Sequence, residues 1–351
     1  MRDRASSPRS ERFLKACRRR KTDCTPIWLM RQAGRYMAEY RKLREKHTML
    51  DLAKTPDLAT EVTLQPVKAF DLDAAILFSD IMVPIRGIGI PFRIEENVGP
   101  IVDQPIRGED QVRALRKFEP DRDVPYVLEA IRQVRRELGG RVPLIGFSGA
   151  PFTLASYLIE GKSPRQFRWT KTLMLDRSDL WERLMTHLAD TVIAYMKAQA
   201  AAGAQALQLF DSWVGNLNPD DYVRYVQPHS RRVFRELSGL GVPLIHFGTE
   251  TATLLGRMAE AGGDVVGADW RIPLDEAWDR IGHDRGIQGN LDPGVLFAAP
   301  DIVEREAKAV LDRAAGRPGH VFNLGHGILP GTPVDNVRRL VDFVHEHSAR
   351  K

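Results

Sequence analysis

Two arginines four residues apart, Arg31 and Arg35, are the residues of this chain whose types and spacing most suggest chemistry. In a helical turn, residues four apart lie on one face, and two guanidinium groups on one face suit a ligand that carries carboxylates or phosphates. Gly34 between them would let a backbone or ligand approach closely. The spacing leaves a second interpretation open, an Arg35–Glu39 ion pair on a helix surface with Arg31 in solvent.

Asp80 and His326 are two further candidates for acid–base catalysis or electrostatic stabilisation. Asp80 ends an apolar segment and precedes another, so its carboxylate is predicted either to be buried with partners or to face an opening, although an N-cap or structural ion pair is the alternative. His326 lies between two glycines and could act as an acid–base group, a carboxylate donor or a metal ligand, and His246 is similarly placed. Tyr157 and Ser212, taken alone, are typical structural hydroxyls.

The sequence lacks the common metal and nucleotide signatures. It has no H-x-H or H-E-x-x-H motif, and its two cysteines, Cys17 and Cys24, are not at a usual zinc spacing. It also has no phosphate-binding loop and no G-x-G-x-x-G motif after a strand. We therefore expect neither a metal nor a nucleotide cofactor, and two early thiols favour a reducing, cytoplasmic compartment.

Short apolar segments bounded by glycine or proline predict the strands that would position these residues. They are residues 26–29, 74–78, 142–147, 206–210, 242–247, 264–267, 286–288 and 320–323. Helical patterns lie between most of them, at residues 127–138, 180–202, 251–261 and 303–315. Such alternation predicts βαβ units with a parallel sheet, closed as a (β/α)8 TIM-type barrel, with a doubly wound sheet as the alternative. Residues 88–102 predict a β-hairpin excursion.

Most of these strands end in a polar or glycine-rich cluster, where barrel enzymes place their chemistry, so the pattern favours an enzyme. The chain has 351 residues, 43% hydrophobic and 28% charged, which is typical of a globular protein. Its net charge of +5 comes from the first 24 residues and does not predict a nucleic-acid-binding body. We expect no membrane span and no secretory signal. A flexible basic extension over residues 1–10 and one barrel domain over residues 11–351, which begins with a helix, are predicted.

Several segments together resemble the uroporphyrinogen decarboxylase family. Residues 26–41 (PIWLMRQAGRYMAEYR) are similar to its N-terminal signature, and residues 146–154 (GFSGAPFTL) to its second signature. The short segments 78–81 (FSDI), 210–213 (FDSW) and 323–328 (NLGHGI) also resemble its motifs, in the same order.

The resemblance implies a (β/α)8 barrel that forms a homodimer. It implies a carboxy-lyase that needs no metal or organic cofactor and removes the four acetate carboxyls of the tetrapyrrole uroporphyrinogen III stepwise, giving coproporphyrinogen III and CO2 in haem biosynthesis. The implied substrate-binding residues are Arg31, Gln32, Ala33, Gly34, Arg35, Asp80, Tyr157, Ser212 and His326. Asp80 is the implied catalytic residue: an ionised carboxylate beneath the pyrrole N–H groups, with its pKa held down by nearby arginines.

Two other hypotheses stay open at this point. Cobalamin- or folate-linked methyltransferases have a similar barrel but bind zinc through an H-x-C motif, and the corresponding segment here, 246–248, has no cysteine. A non-enzymatic binding protein whose basic tail contacts nucleic acid or an acidic membrane is the other possibility, and the charge distribution confines such contacts to the first 24 residues.

Overall fold

A parallel sheet forms the centre of the molecule in the computed structural model, which describes residues 8–96, 98–163 and 166–350. Seven of its strands are hydrogen-bonded in the order β1-β4-β5-β6-β7-β8-β9, and β2 pairs with β3 as a separate antiparallel hairpin. The strands are β1 (Ala75–Ile76), β2 (Arg93–Glu95), β3 (Gly99–Ile101), β4 (Leu144–Gly149), β5 (Ala206–Asp211), β6 (Leu244–Gly248), β7 (Val265–Gly267), β8 (Gly286–Leu291) and β9 (His320–Leu324).

Helices cover the outside of this sheet, as the βαβ alternation predicts. The α-helices are α1 (Pro8–Cys17), α2 (Ala38–Arg44), α3 (Met49–Lys54), α4 (Pro56–Ala69), α5 (Glu109–Arg113), α6 (Pro120–Asp123), α7 (Pro125–Leu138), α8 (Pro151–Glu160), α9 (Arg168–Asp176), α10 (Ser178–Ala202), α11 (Pro219–Tyr225), α12 (Gln227–Leu237), α13 (Leu255–Ala261), α14 (Leu274–Ile281), α15 (Pro300–Ala314) and α16 (Val334–His347). Short 3-10 helices occupy Val83–Arg86, Val214–Asn216, Ser238–Leu240 and Pro293–Phe297.

The barrel closes through the segment of residues 26–29, which we predicted as a strand and which forms a single β-bridge instead. Ile27 pairs in parallel with Phe322 of β9. On its other side, the Asp73 N–H donates to the Ile27 carbonyl (2.8 Å), and the Asp73 carboxylate accepts from the Ile27 N–H (2.8 Å). The segment therefore occupies the place of an eighth strand between β9 and β1, and the (β/α)8 architecture is confirmed.

Side-chain amides take over where the backbone ladder of this seam stops. The Gln32 side chain accepts from the Leu29 N–H (3.2 Å) and donates to the Ala74 carbonyl (3.2 Å). On the β9 side, the Asn323 side chain accepts from the Met30 N–H (3.1 Å). Buried backbone N–H and C=O groups must be hydrogen-bonded. Without these side chains, backbone donors and acceptors along this seam would have no partner.

The amino-terminal end of the barrel is closed by α1. Phe13 and Cys17 of this helix are buried and pack against the side chains that fill the barrel interior. These interior side chains are Trp28, Met30, Ala74, Ile145, Ala206, Ile245, Phe247, Val265 and Val321. Because α1 closes the amino-terminal end, an active site is expected at the carboxyl-terminal ends of the strands. This is the usual arrangement in this architecture.

Most predicted boundaries agree with the structure to within a few residues, and the hairpin within residues 88–102 is confirmed by β2 and β3. The helix α1 begins at Pro8, and Arg9 donates to the Leu72 carbonyl (2.9 Å) and pairs with Asp71. Residues 8–10, which we placed in the extension, are therefore helical, and residues 1–7 lie outside the described residues. Across the described part of the chain, none of the helices is both long and apolar enough to span a membrane.

Candidate active site

The loops at the carboxyl-terminal ends of the strands are interlocked around an opening. The hydroxyl of Thr249, after β6, donates to the carbonyl of Ser212, after β5 (2.5 Å). The N–H of Glu250 in the same loop donates to the carboxylate of Asp269, after β7. At Gly325, after β9, an added Cβ would overlap the backbone of the β7 loop. The loops after β5, β6, β7 and β9 are thus tied to one another, which fixes the side chains that they carry.

Arg31, which follows the first segment of the barrel (residues 26–29), contacts the loop after β9. Its φ of 60° places it in the left-handed region, where a non-glycine residue is uncommon. Its side chain lies directly on Gly327, where an added Cβ would overlap it. Its charge acts on Asp80, Tyr157 and His326 together, since it shifts the pKa of each. We call the opening surrounded by Arg31, Asp80, Tyr157 and His326 the mouth.

Asp80 lines the mouth, just before the 3-10 helix Val83–Arg86. Its carboxylate accepts from the Met82 N–H (2.8 Å). Burial raises its pKa above the usual value, and the Met82 N–H and the positive charge of Arg31 oppose that rise. Arg31 lowers this pKa, as predicted for a nearby arginine, but loss of hydration outweighs its attraction and the net shift is upward.

His326 is held as a neutral imidazole. Burial and then the positive charges of Arg31 and Arg271 lower its pKa to about 4, and Asp269 opposes them. The Gly327 N–H donates to Nδ1 (2.6 Å), so the ring proton of the neutral form is at Nε2. His326 therefore offers one N–H donor, a role suited to binding a carboxylate.

Tyr157 and Ser212 approach the mouth from α8 and from the end of β5. Tyr157 is buried, its hydroxyl lies 3.4 Å from the Ser163 hydroxyl, and burial raises its pKa. Its ring packs against the indole of Trp213, with centroids 5.9 Å apart. Ser212 is partly exposed and directly precedes Trp213. The structure thus brings Arg31, Asp80, Tyr157 and His326 together, with Ser212 beside them.

The residues after Arg31 serve the mouth in different ways. The predicted helical turn is absent, because α2 begins only at Ala38, so Arg31 and Arg35 do not share a helix face. Arg35 is exposed, and its charge acts on Tyr40 of α2. The Gln32 side chain is buried in the seam, so it positions its neighbours and is closed to solvent. Between them, Ala33 and Gly34 are half-buried.

His246, which the sequence placed beside His326, faces the other way. It is buried under the outer helices, where its Nδ1 lies 3.3 Å from the Met258 carbonyl and its ring packs on Phe234. Its Nε2 lies 3.9 Å from the carboxylate of Asp211, which is also buried. Because successive strand residues point to opposite faces, His246 belongs to the helix-facing side of β6 and not to the mouth.

The segment 269–271 after β7 contributes groups that the sequence did not single out. The Trp270 ring lies 6.5 Å from the His326 ring, and the Arg271 guanidinium stacks 4.0 Å above the Trp270 ring. Asp269 is buried and accepts from the Arg271 guanidinium (2.8 Å). In the sequence, these groups are visible only as a polar cluster at a strand end. Their contacts with Glu250 and His326 could not be predicted, because those residues are distant in the sequence.

The arrangement can bind a polyanion and stabilise a cation within it. Arginine and a neutral histidine donor bind carboxylates, whereas a buried carboxylate stabilises positive charge that develops next to it. Within residues 8–96, 98–163 and 166–350, no three histidine, cysteine, aspartate or glutamate side chains are grouped so as to hold a metal ion. Two cavities of about 340 Å³ lie at the opposite end of the barrel, beside Arg317, and contain none of the predicted site residues.

Comparisons with known proteins agree with this geometry. Residues 8–347 match the family model described as uroporphyrinogen decarboxylase (URO-D). The chain is 55% identical to a uroporphyrinogen decarboxylase of Sorangium cellulosum over 335 residues, which cover 95% of this chain and 96% of the relative. It is 54% identical to one of Carboxydothermus hydrogenoformans over 340 residues, covering 97% of each.

Solved structures support the same architecture. A methyltransferase from Methanosarcina mazei superposes with a TM-score of 0.82 at 21% identity, covering 97% of this chain and 98% of that chain. A B12-independent methionine synthase from Shewanella sp. gives a TM-score of 0.57 at 10% identity, covering 83% and 88%. At these identities the likeness shows the fold alone, because one fold serves many chemistries.

Proposed function

The chain belongs to the uroporphyrinogen decarboxylase family, and from this premise we propose that its reaction takes place in the mouth, with Asp80 as the catalytic residue. The reaction is the stepwise loss of the four acetate carboxyls of uroporphyrinogen III, which gives coproporphyrinogen III and CO2. The observation that carries the location is the position of Arg31, whose side chain rests on Gly327 next to His326 and whose charge acts on Asp80, Tyr157 and His326.

Binding of the substrate follows from charge. Its acetate and propionate groups make it a polyanion. Arg31 provides a guanidinium group at the mouth, and we assign the exposed Arg35, four residues on, to a further carboxylate of the substrate. The Nε2–H of neutral His326 and the hydroxyls of Tyr157 and Ser212 can donate to further carboxylate oxygens. Ala33 and Gly34 add backbone close to the ligand. Because several anions must be accommodated, donors distributed around the opening serve better than a single strong site.

The chemistry needs an acceptor for the electrons that the departing CO2 leaves behind, and the pyrrole ring can supply it. A proton adds to the ring carbon next to the one that bears the acetate arm, which converts the pyrrole into an iminium-like cation with positive charge shared by the arm-bearing carbon. The bond between the methylene and the carboxylate then breaks, its electrons neutralise the cation, and CO2 leaves. The exocyclic carbon takes up a proton and the ring carbon loses its own, so an acetate becomes a methyl group.

Asp80 stabilises the cationic stage of this sequence. A carboxylate already oriented by the Met82 N–H attracts the pyrrole N–H groups and the positive charge without reorganising, which is electrostatic preorganisation. The same burial that raises its pKa strengthens that attraction, because charges interact more strongly where water is excluded. Arg31 favours the ionised form of the carboxylate, because its positive charge opposes the rise in the pKa of Asp80.

Incubation with anaerobically reduced uroporphyrinogen III tests the function directly. Mass spectrometry is expected to show successive losses of CO2 and to end at coproporphyrinogen III, whereas Asp80→Asn protein at the same concentration leaves the substrate largely intact. Unchanged substrate with the parent protein would refute the function. A fast Asp80→Asn variant would refute the location.

We also propose that the chain acts as a homodimer in the cytoplasm. The large apolar side chains exposed in the described residues support an association: Val98, Trp169, Leu175, Val223, Phe297 and Leu329. Both thiols are free and buried, as expected in a reducing compartment. Sedimentation equilibrium at micromolar concentration is expected to give twice the chain mass, and a monomer mass would contradict the dimer.

A further inference from the structure

Arg271 lies on the rim of the mouth and has a fixed orientation. Its guanidinium stacks 4.0 Å above Trp270, whose ring faces His326. Its side chain is 40% exposed and pairs with two carboxylates, Asp269 at 2.8 Å and Glu250 at 3.2 Å. An arginine that is stacked, oriented and still open to solvent is well suited to receive an anion.

We propose that Arg271 is a further substrate-binding residue, which holds a carboxylate that the reaction does not remove, and that Glu250 occupies this arginine until the substrate displaces it. The proposal rests on the proposed function, since it takes the substrate to be a polycarboxylate bound in the mouth. It assigns a specific task to each partner of Arg271.

The two carboxylates beside Arg271 are not equivalent. Asp269 is 1% exposed and also accepts from the backbone N–H groups of Arg271 (3.0 Å) and Glu250, so it holds the loop and is permanently engaged. The Glu250 side chain is 49% exposed and contacts only the outer nitrogen Nη2 at 3.2 Å. Exposed ion pairs of this kind contribute little to stability, so a substrate carboxylate can displace Glu250 at low cost.

The position of Arg271 indicates which carboxylates it can reach. Its charge acts on His326, as that of Arg31 does. The Arg271 guanidinium lies over the Trp270 ring, and that ring packs against His326. Arg271 therefore meets substrate groups on the His326 side of the mouth. Each pyrrole carries an acetate and a propionate on its outer carbons, and the propionate persists through every decarboxylation. A residue that holds a propionate therefore keeps its contact from substrate to product.

Binding of a persistent group makes a kinetic prediction. An interaction that is equal in the ground state and the transition state changes KM and leaves kcat unaltered. We therefore expect Arg271→Gln to raise KM for uroporphyrinogen III about tenfold, the loss typical of a charge-assisted hydrogen bond, with kcat within about twofold of the parent. It should weaken binding of coproporphyrinogen III by a similar factor.

Glu250→Gln separates this role from a purely structural one. Removing the competing carboxylate frees Arg271, so KM is expected to fall several-fold, in the opposite direction to Arg271→Gln. If the pair only stabilised the loop, both variants would raise KM and lower the melting temperature together. The matched control is Arg257→Gln, which breaks a similarly exposed arginine–glutamate pair on α13 (2.9 Å), and its KM should equal that of the parent.

The outcomes are distinguishable from a failure of the proposed function. If neither the parent nor Arg257→Gln releases CO2 from the substrate, the proposed function fails. If both are active and Arg271→Gln keeps the parental KM, or loses kcat instead, only the present inference is overturned. Should Arg271→Gln fail to fold, Glu250→Gln decides alone: a lowered KM supports the inference, and an unchanged or raised KM overturns it.

Discussion

Asp80 must be charged to stabilise a cation, yet it lies where charge is unfavourable. Burial raises its pKa, and a carboxyl whose folded pKa exceeds its unfolded value costs stability once it is ionised. The free energy of unfolding therefore falls as the pH rises from the unfolded pKa towards the folded one. The burial that causes this loss of stability also strengthens the electrostatic field that the carboxylate exerts in the mouth.

The substitution Asp80→Asn should separate the two effects. We expect kcat to fall by about a hundredfold or more, since the loss of one preorganised electrostatic group has that order of effect. At neutral pH the variant should unfold at the same temperature as the parent or a higher one, because the amide oxygen can still accept from Met82 and no buried charge remains. Kinetics and thermal unfolding of the same preparation check this, and near-parental turnover would contradict it.

Arg31 should set the acid limb of the pH profile. Activity is lost as the pH falls through the pKa of Asp80, and Arg31 lowers that pKa. Arg31→Gln is therefore expected to move the acid limb of kcat/KM to higher pH, in addition to lowering its plateau. Arg31→Lys, which keeps the charge, is the control and should keep the limb near its parental position. An unshifted limb in Arg31→Gln would show that another group titrates there.

At the scale of elements, glycines in the strand-end loops determine where the mouth residues lie. The side chain of Arg31 rests on Gly327, and a Cβ at that position would overlap it. Gly327→Ala should thus displace Arg31 without removing any reactive group. We expect kcat/KM to fall by about tenfold or more, because small misplacements of binding groups are costly.

A glycine elsewhere provides the control for that change. At Gly239 an added Cβ would meet no heavy atom within 4 Å, so Gly239→Ala should have parental activity. Both variants should keep the parental melting temperature to within a few degrees. If Gly327→Ala were as active as Gly239→Ala, the contact between Gly327 and Arg31 would not matter for function.

The sequence predicted the elements better than it predicted the directions of side chains. Seven of the predicted segments are strands, because glycine and proline bound short apolar segments clearly. Strands buried on both faces have no visible alternation, so nothing in the sequence showed that His246 faces the helices. The first segment is not a regular strand because Gln32 and Asp73 replace its ladder bonds, and such long-range substitutions leave no local pattern.

The candidate site was predictable only as a set of residues. The signature around Arg31 and the short motifs after the strands identified residues that the fold brings to one opening. The sequence could not give the balance between burial and charge at Asp80, since that balance depends on which side chains surround the carboxylate. It also did not single out Arg271, because Glu250 and His326, which the fold brings to this segment, come from other loops.

At the scale of the whole molecule, one buried carboxylate joins the two ends of the chain to the barrel seam. Asp73 is fully buried and pairs with Arg12 of α1 at 2.6 Å and with His345 of α16 at 2.7 Å. The same carboxylate accepts from the Ile27 N–H. Residues that are distant in the sequence thus meet where the barrel closes, so the closure is a property of the complete fold.

Arg12→Leu should destabilise the protein without altering the chemistry of the mouth. It would leave the buried carboxylate of Asp73 short of its cation, a loss expected to cost about 3 kcal/mol in the free energy of unfolding. Adding Asp73→Asn to that variant removes the uncompensated charge and should recover part of the loss, a coupling that urea unfolding of both single variants and the double variant would measure. Lys15→Gln, which breaks the exposed Lys15–Glu11 pair on the same helix (2.6 Å), should cost less than about 1 kcal/mol. Equal losses in Arg12→Leu and Lys15→Gln would mean that Asp73 does not depend on its charged partner, and the seam would then rest on its backbone and amide contacts alone.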